Sequence, residues 1–148
     1  MKNKVALFVA FGAAVLLSSC FSIPKTYKTY LDISTPKEKN TTVKFEGEFY
    51  LKKWNDTNIF APGDVILPAG NNSFLFDLHF TFSNQQSTTT YKMEDIELRY
   101  LFEAGKKYTL RSRAKSLGLF KGWEFSIELY DSTTRKPELL KEWKIGHS

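Results

Sequence analysis

The sequence predicts an all-β fold, an antiparallel β-sandwich, on three observations. Apolar residues recur with period two in several short stretches, as they do on half-buried strands. No 11-residue window carries an apolar stripe at helical spacing. The aromatic load is high, with 13 Phe, 7 Tyr and 3 Trp. Such residues favour pleated strands and fill a small core with large side chains.

The chain opens on a different signal. Lys2 and Lys4 precede an apolar stretch from Val5 to Leu17, and small residues follow, the three parts of a secretory signal. The stretch falls short of the roughly 20 residues of a membrane span. Leu17-Ser18-Ser19-Cys20 then places a cysteine directly after the small-residue site. This pattern resembles the lipobox of bacterial lipoproteins. The resemblance implies cleavage before Cys20, a diacylglyceryl thioether on the Cys20 sulfur, and acylation of the new amine. Cys20 is the only cysteine, and lipidation accounts for what would otherwise be a lone free thiol in an exported chain. One acyl chain binds a bilayer only marginally, whereas several hold a protein down. Phe21, rather than Asp, after the cysteine favours sorting to the outer membrane of a two-membrane bacterium.

A chain of 148 residues less a 19-residue signal leaves 129, one ordinary domain plus a linker. Once Lys2 and Lys4 are gone it keeps 19 basic and 16 acidic side chains, a net of +3. That balance is too mild for a nucleic-acid binder, and the exported address argues further against one. Residues 20–42 read as the lipidated Cys20 and a tether, with Pro24, Pro36 and at most a short strand near Tyr27–Ile33. A flexible linker of this length spans on the order of 25 Å. Its scattered Lys25, Lys28, Lys37 and Lys39 read as solvated rather than as headgroup ligands.

Residues 43–148 carry the sandwich. Val43, Phe45, Gly47, Phe49 and Leu51 alternate with Lys44, Glu46, Glu48 and Tyr50, which predicts one continuous strand. The clearest strand follows, with Phe74, Phe76, Leu78, Phe80 and Phe82 on one face and Asp77, His79 and Thr81 on the other. Ile96, Leu98, Tyr100 and Phe102 make the next. Tyr108 and Leu110 lead a strand whose other face is basic, with Lys107, Arg111, Arg113 and Lys115. Trp123, Phe125, Ile127 and Leu129 alternate with Glu124, Ser126 and Glu128, and Leu139 to Ile145 reads as an edge strand.

Two turns share a pattern. Leu67-Pro68-Ala69-Gly70 leads into Phe74, and Phe102-Glu103-Ala104-Gly105 leads into Tyr108. Glycine there can take the left-handed conformation of a bulged hairpin. On Leu67–Gly70 and Ala104–Tyr108 the stretch from Thr42 to Leu129 resembles small bacterial surface modules with Ig-like or transthyretin-like sandwiches, PEGA-type domains among them. The Pro-Glu-Gly-Ala string of that family is absent. The resemblance implies a non-enzymatic envelope module and supplies no catalytic residues.

The second turn, read as a hairpin, pairs Phe102 with Tyr108. It then sets Glu97 opposite Arg113, Asp95 opposite Lys115, and Arg99 opposite Arg111, a like-charge pair open to an anion. Solvated arginines on an open sheet face are the plainer reading. His79 and His147 have no second ligand at metal spacing, and Glu94, Asp95 and Glu97 lack the spacing of a calcium loop. No metal or cofactor is expected. Asp77 and His79 lie side by side on a strand with no serine in a nucleophile elbow, so no catalytic residues are expected either. Trp54 beside Asn55, Asp56 and Asn58, and also Tyr50, Tyr91 and Tyr130, are candidate stacking surfaces for a sugar; the plainer reading has Trp54 plugging the sandwich end and Asn55-Asp56 turning the chain. The expected protein is lipid-anchored through Cys20 in the bacterial cell envelope. It binds an envelope protein or polymer without catalysis, or alternatively binds a carbohydrate or small ligand.

Overall fold

The computed structural model describes residues 28–60, 63–119 and 121–148. The signal segment and Cys20 lie outside the described residues. Among those described, the chain is nearly all strand and forms two sheets. The strands are β1 (Lys28–Tyr30), β2 (Asn40–Glu46), β3 (Glu48–Trp54), β4 (Thr57–Asn58), β5 (Asp64–Pro68), β6 (Gly70–Ser83), β7 (Thr88–Phe102), β8 (Lys107–Ser116), β9 (Trp123–Asp131) and β10 (Glu138–His147). One sheet has six strands in the order β1-β5-β2-β8-β9-β10, the other four in the order β4-β3-β6-β7. A single turn of 3-10 helix, Lys37–Lys39, precedes β2.

The alternation decides which side chains meet between the sheets. Val43, Val65, Leu67, Tyr108, Leu110, Phe125, Ile127 and Leu129 come from the larger sheet; Phe74, Phe76, Leu78, Phe80, Leu98 and Phe102 come from the smaller. All are buried in one cluster. Rings bridge the layers: Phe80 to Phe125 with centroids 4.6 Å apart, Phe82 stacked on Trp123 at 4.4 Å, and Phe45 edge-on to Phe74 at 5.7 Å. The predicted inward stripes of five strands supply most of the core; Val65 and Leu67 come from β5, a strand the alternation did not mark.

Connectivity departs from the sequence reading in three places. The run from Val43 to Leu51 is two strands, because the chain leaves the larger sheet at Gly47 and continues in the smaller one. The alternation survives this break, so it gave no warning. The two Ala-Gly turns are not hairpins. Pro68 to Gly70 carries the chain from the larger sheet to the smaller, and Phe102 to Lys107 carries it back. Gly70 and Gly105 do adopt positive φ, +120° and +74°, conformations that favour glycine. Both turns dock on the start of β2: the Ala69 N–H donates to Lys39 O at 2.9 Å, and the Gly105 N–H to Asn40 O at 2.8 Å.

The larger sheet is therefore mixed rather than antiparallel throughout. Because β7 crosses over instead of folding back on β8, β8 lies parallel to β2; β1 is likewise parallel to β5. The sheet also reaches further toward the N-terminus than residue 43. β1, within the short strand expected near Tyr27–Ile33, joins it at Lys28 and Asn40 opens β2, so seven residues separate Cys20 from the first described strand.

Candidate functional site: a polar trough on the six-stranded sheet

The solvent face of the six-stranded sheet is set by the same alternation that builds the core. With Val43, Tyr108, Leu110 and Leu129 turned inward, Thr42, Lys44 and Glu46 of β2, Lys107, Thr109 and Arg111 of β8, and Tyr130 of β9 turn outward. Together with Ser132 they bound a trough of about 330 Å³. Short side chains floor it. The hydroxyls of Thr109 and Ser132 lie 2.8 Å apart and share a hydrogen bond. Long side chains wall it.

Register, not proximity in sequence, supplies the electrostatics. The parallel β2·β8 pair sets Glu46 opposite Arg111, and the antiparallel β8·β9 pair sets Arg111 opposite Glu128. Arg111 Nε and Nη2 both donate to Glu46 Oε2, at 2.9 and 2.8 Å, while Lys44 Nζ holds Glu46 Oε1 at 2.9 Å. The hydrogen bond from Lys44 holds the Glu46 carboxyl below the ordinary range; burial opposes this and Arg111 adds to it. The Arg111 guanidinium lies 5.0 Å from the centroid of the Tyr130 ring, a cation–π contact. Lys107 makes no ion pair among the described residues and is the free cation of the trough.

Glu128 anchors the wall. Only 3% of it is exposed. Its Oε1 accepts from Arg113 Nη1 at 2.6 Å and its Oε2 from the Tyr130 hydroxyl at 2.7 Å. Burial pushes this carboxyl up, but the two hydrogen bonds outweigh burial and hold it below the ordinary 4.5. A depressed folded-state value means that Glu128 contributes stability above its unfolded value, lost as pH falls through the folded one. Thermal melts of wild type and Glu128→Gln should therefore differ at neutral pH and converge as pH drops below about 4. Curves that stay parallel into acid would refute this role.

The residues singled out by sequence scatter over both sheets. Arg99 and Arg111 are not neighbours: Arg99 lies on β7 of the smaller sheet and holds Glu97 at 2.7 Å, whereas Arg111 holds Glu46. The like-charge pair, and the expected Glu97–Arg113 and Asp95–Lys115 pairs, do not form, because β7 and β8 belong to different sheets. Arg113 has Glu128 instead. Trp54 is half-buried, and its Nε1–H donates to Asn72 Oδ1 at 2.7 Å. Asn55 and Asp56 take the positive φ of a tight turn into β4, at 45° and 65°. Tyr91 is half-buried between Phe82 and Phe125. Tyr50 alone of the four aromatics stays open, 51% exposed, its ring 4.5 Å from that of His79.

Asp77 and His79 remain on the outer face of β6. Asp77 Oδ1 is held by Lys52 Nζ at 2.6 Å and accepts from the Asp95 N–H at 2.9 Å. Lys52 also reaches Asp95 at 2.9 Å. Asp95 sits at a bulge of β7 with φ of 55°. Among the described residues no three His, Cys, Asp or Glu side chains are grouped to hold a metal ion. Sequence reasoning missed the Glu46–Arg111 and Arg113–Glu128 pairs. Their signal was an acid on the polar face of each strand that flanks the basic face of β8. Comparison with family models, curated proteins and solved structures finds no match to this chain.

Proposed function

We propose that this chain is a lipid-anchored protein of the bacterial cell envelope whose domain, a sandwich of Ig-like or transthyretin-like type, works as a non-enzymatic binding or structural accessory module. The lipobox at Leu17–Cys20 carries the address, with Cys20 as the lipidated residue and the outer membrane as the favoured destination. One observation carries the activity class. Of the charged side chains that stood out in the sequence, Asp77, Arg99, Arg111 and Arg113 are held in ion pairs on the outer sheet faces, while Lys107 and Lys115 make none among the described residues. Groups locked this way are poor proton carriers and good surface formers. The ion-paired trough around Arg111 offers a partner a pre-organised polar surface, which lowers the ordering cost of binding. A tether to the bilayer raises the local concentration of envelope partners.

A photo-crosslinker at Lys107 in living cells tests this, with wild type beside Cys20→Ser and a control crosslinker at Thr90 on the smaller sheet. The expected result is one defined envelope partner captured from position 107 only when Cys20 is present. Equal capture at 107 and 90, or none while the protein stays on the membrane, sinks the reading. The hydroxyl floor of Thr42, Thr109 and Ser132 favours a second reading, a carbohydrate or small polar ligand. Glycans that raise the melting temperature steadily with the logarithm of their concentration would decide for it.

A further inference from the structure

The turn between β8 and β9 is tight and hydrogen-bonded: the Leu117 N–H donates to Gly122 O at 3.0 Å, and the Lys121 N–H to Gly118 O at 3.1 Å. Leu119 here is 83% exposed, and Leu117, two residues before it, is 40% exposed. Lys115 and Lys121 flank the pair, both exposed. A single surface leucine needs no explanation. Two this close together between lysines do, once the anchor of the chain is placed relative to them.

Register gives that placement. Lys28 is opposite Asp64, Val65 opposite Val43, and Val43 opposite Tyr108, so Lys28 lies level with Thr109 of β8. β1 runs antiparallel to β2 and hence opposite to β8, leading away from the end of the sandwich that carries the β8–β9 turn. From Thr109 to Ser116 is seven residues, about 23 Å of strand. From Cys20 to Lys28 is eight residues, a reach of at most about 29 Å. The Cys20 lipid can thus lie at the level of the turn while β1 keeps its place in the sheet. The neighbouring turn at that end, Asn84 to Ser87, is wholly polar. Among the described residues the other apolar side chains as exposed as Leu119, Ile33 and Phe60, follow β1 and β4 and lie off this end.

We propose that Leu117 and Leu119, beyond the end of β8, make a second membrane contact. Leu117 and Leu119 sit at the boundary of headgroups and acyl chains in the bilayer that holds the Cys20 lipid, and Lys115 and Lys121 lie among the headgroup phosphates. Apolar side chains buried at that depth with lysines at the polar level match the chemistry of an interfacial anchor. The two contacts stand the sandwich on end, so that the trough faces sideways, parallel to the bilayer. The inference rests on the lipid-anchor reading of Cys20.

The test uses the full-length protein purified from membranes and placed in vesicles of phosphatidylethanolamine and phosphatidylglycerol. With the Cys20 sulfur acylated, a cysteine introduced at Leu119, Phe60 or Thr134 is the single free thiol and takes an NBD fluorophore. Intact mass reports the state of Cys20 independently. The expected result is an acylated Cys20, a blue-shifted NBD emission at 119 that loses most of its intensity when doxyl-labelled lipid is included, and no loss at 60 or 134. An acylated protein with no quenching at 119, or with quenching at 60 instead, overturns the membrane tip while leaving the anchor intact. A Cys20 without lipid overturns both.

Discussion

Phe125→Ala is expected to lower folding free energy by about 3–5 kcal/mol, the range for deleting a fully buried aromatic ring. Phe125 has no exposed surface and faces the smaller sheet from the third residue of β9. Its ring lies 4.6 Å from that of Phe80 and 5.3 Å from that of Tyr91. Both neighbours belong to strands of the opposing sheet, so the deletion opens a cavity between layers rather than at a rim. The backbones of β9 and β6, each paired on both sides, cannot collapse into such a space, which places the cost toward the upper part of the range. Total stability of a domain of this size is about 5–15 kcal/mol. The variant should still fold at low temperature, with a much lower urea midpoint and little change in slope. Phe60→Ala, with the ring 88% exposed, is the control and should stay within about 0.5 kcal/mol. Similar midpoints for the two variants would mean that the sheets do not pack as described.

Asn72→Ala should cost about 2–4 kcal/mol, although it removes almost no apolar area. Asn72 is 5% exposed and joins four groups. Its Oδ1 accepts from Trp54 Nε1 at 2.7 Å and Asn55 Nδ2 at 3.1 Å, and its Nδ2 donates to Pro68 O at 2.9 Å and Gly70 O at 3.1 Å. It therefore ties the β3–β4 turn to the point where the chain crosses between sheets. Each partner left buried and unpaired costs about 1–3 kcal/mol, less where water reaches it. Asn72→Asp keeps the acceptor for Trp54 but sets a carboxylate against two carbonyl oxygens, so above about pH 4 it should be no better than alanine. The Trp54 environment should change in both variants, visible as a shift in tryptophan emission. A loss under about 0.5 kcal/mol with unchanged emission would remove Asn72 from this role.

Asn72 also shows where sequence reading stops. It lies two residues before Phe74, one step of the alternation outside the recognised stripe, in the polar run Asn71-Asn72-Ser73 that follows the Ala69-Gly70 turn. β6 begins earlier, at Gly70, and the alternation runs on through Asn72 as a buried polar position. Nothing local distinguishes it from Asn71, because its partners come from positions 54, 55, 68 and 70 at once. The bland reading of Trp54 was available from the Asn55-Asp56 turn, but its hydrogen-bond partner was not.

What the sequence determined by itself is the class of structure and the inward face of its strands. Period-two alternation is a local property, set by the geometry of an extended backbone, and the Phe74–Phe82, Tyr108–Leu110 and Trp123–Leu129 stripes all point into the core. Glycine at Gly70 and Gly105 was legible for the same reason, since backbone conformation is a local demand. Only the tertiary structure decided which strand lies beside which. A strand that continues in its own sheet and one that crosses to the other at Gly47 have the same alternation, and a hairpin turn and a sheet-crossing turn use the same residues. That choice rests on burying both faces of one core at once. It alone separated Arg99 from Arg111, gave Arg111 to Glu46 and Arg113 to Glu128, and thereby put an ion-paired polar trough where the sequence reading had set Arg111 against Arg99 and Arg113 against Glu97.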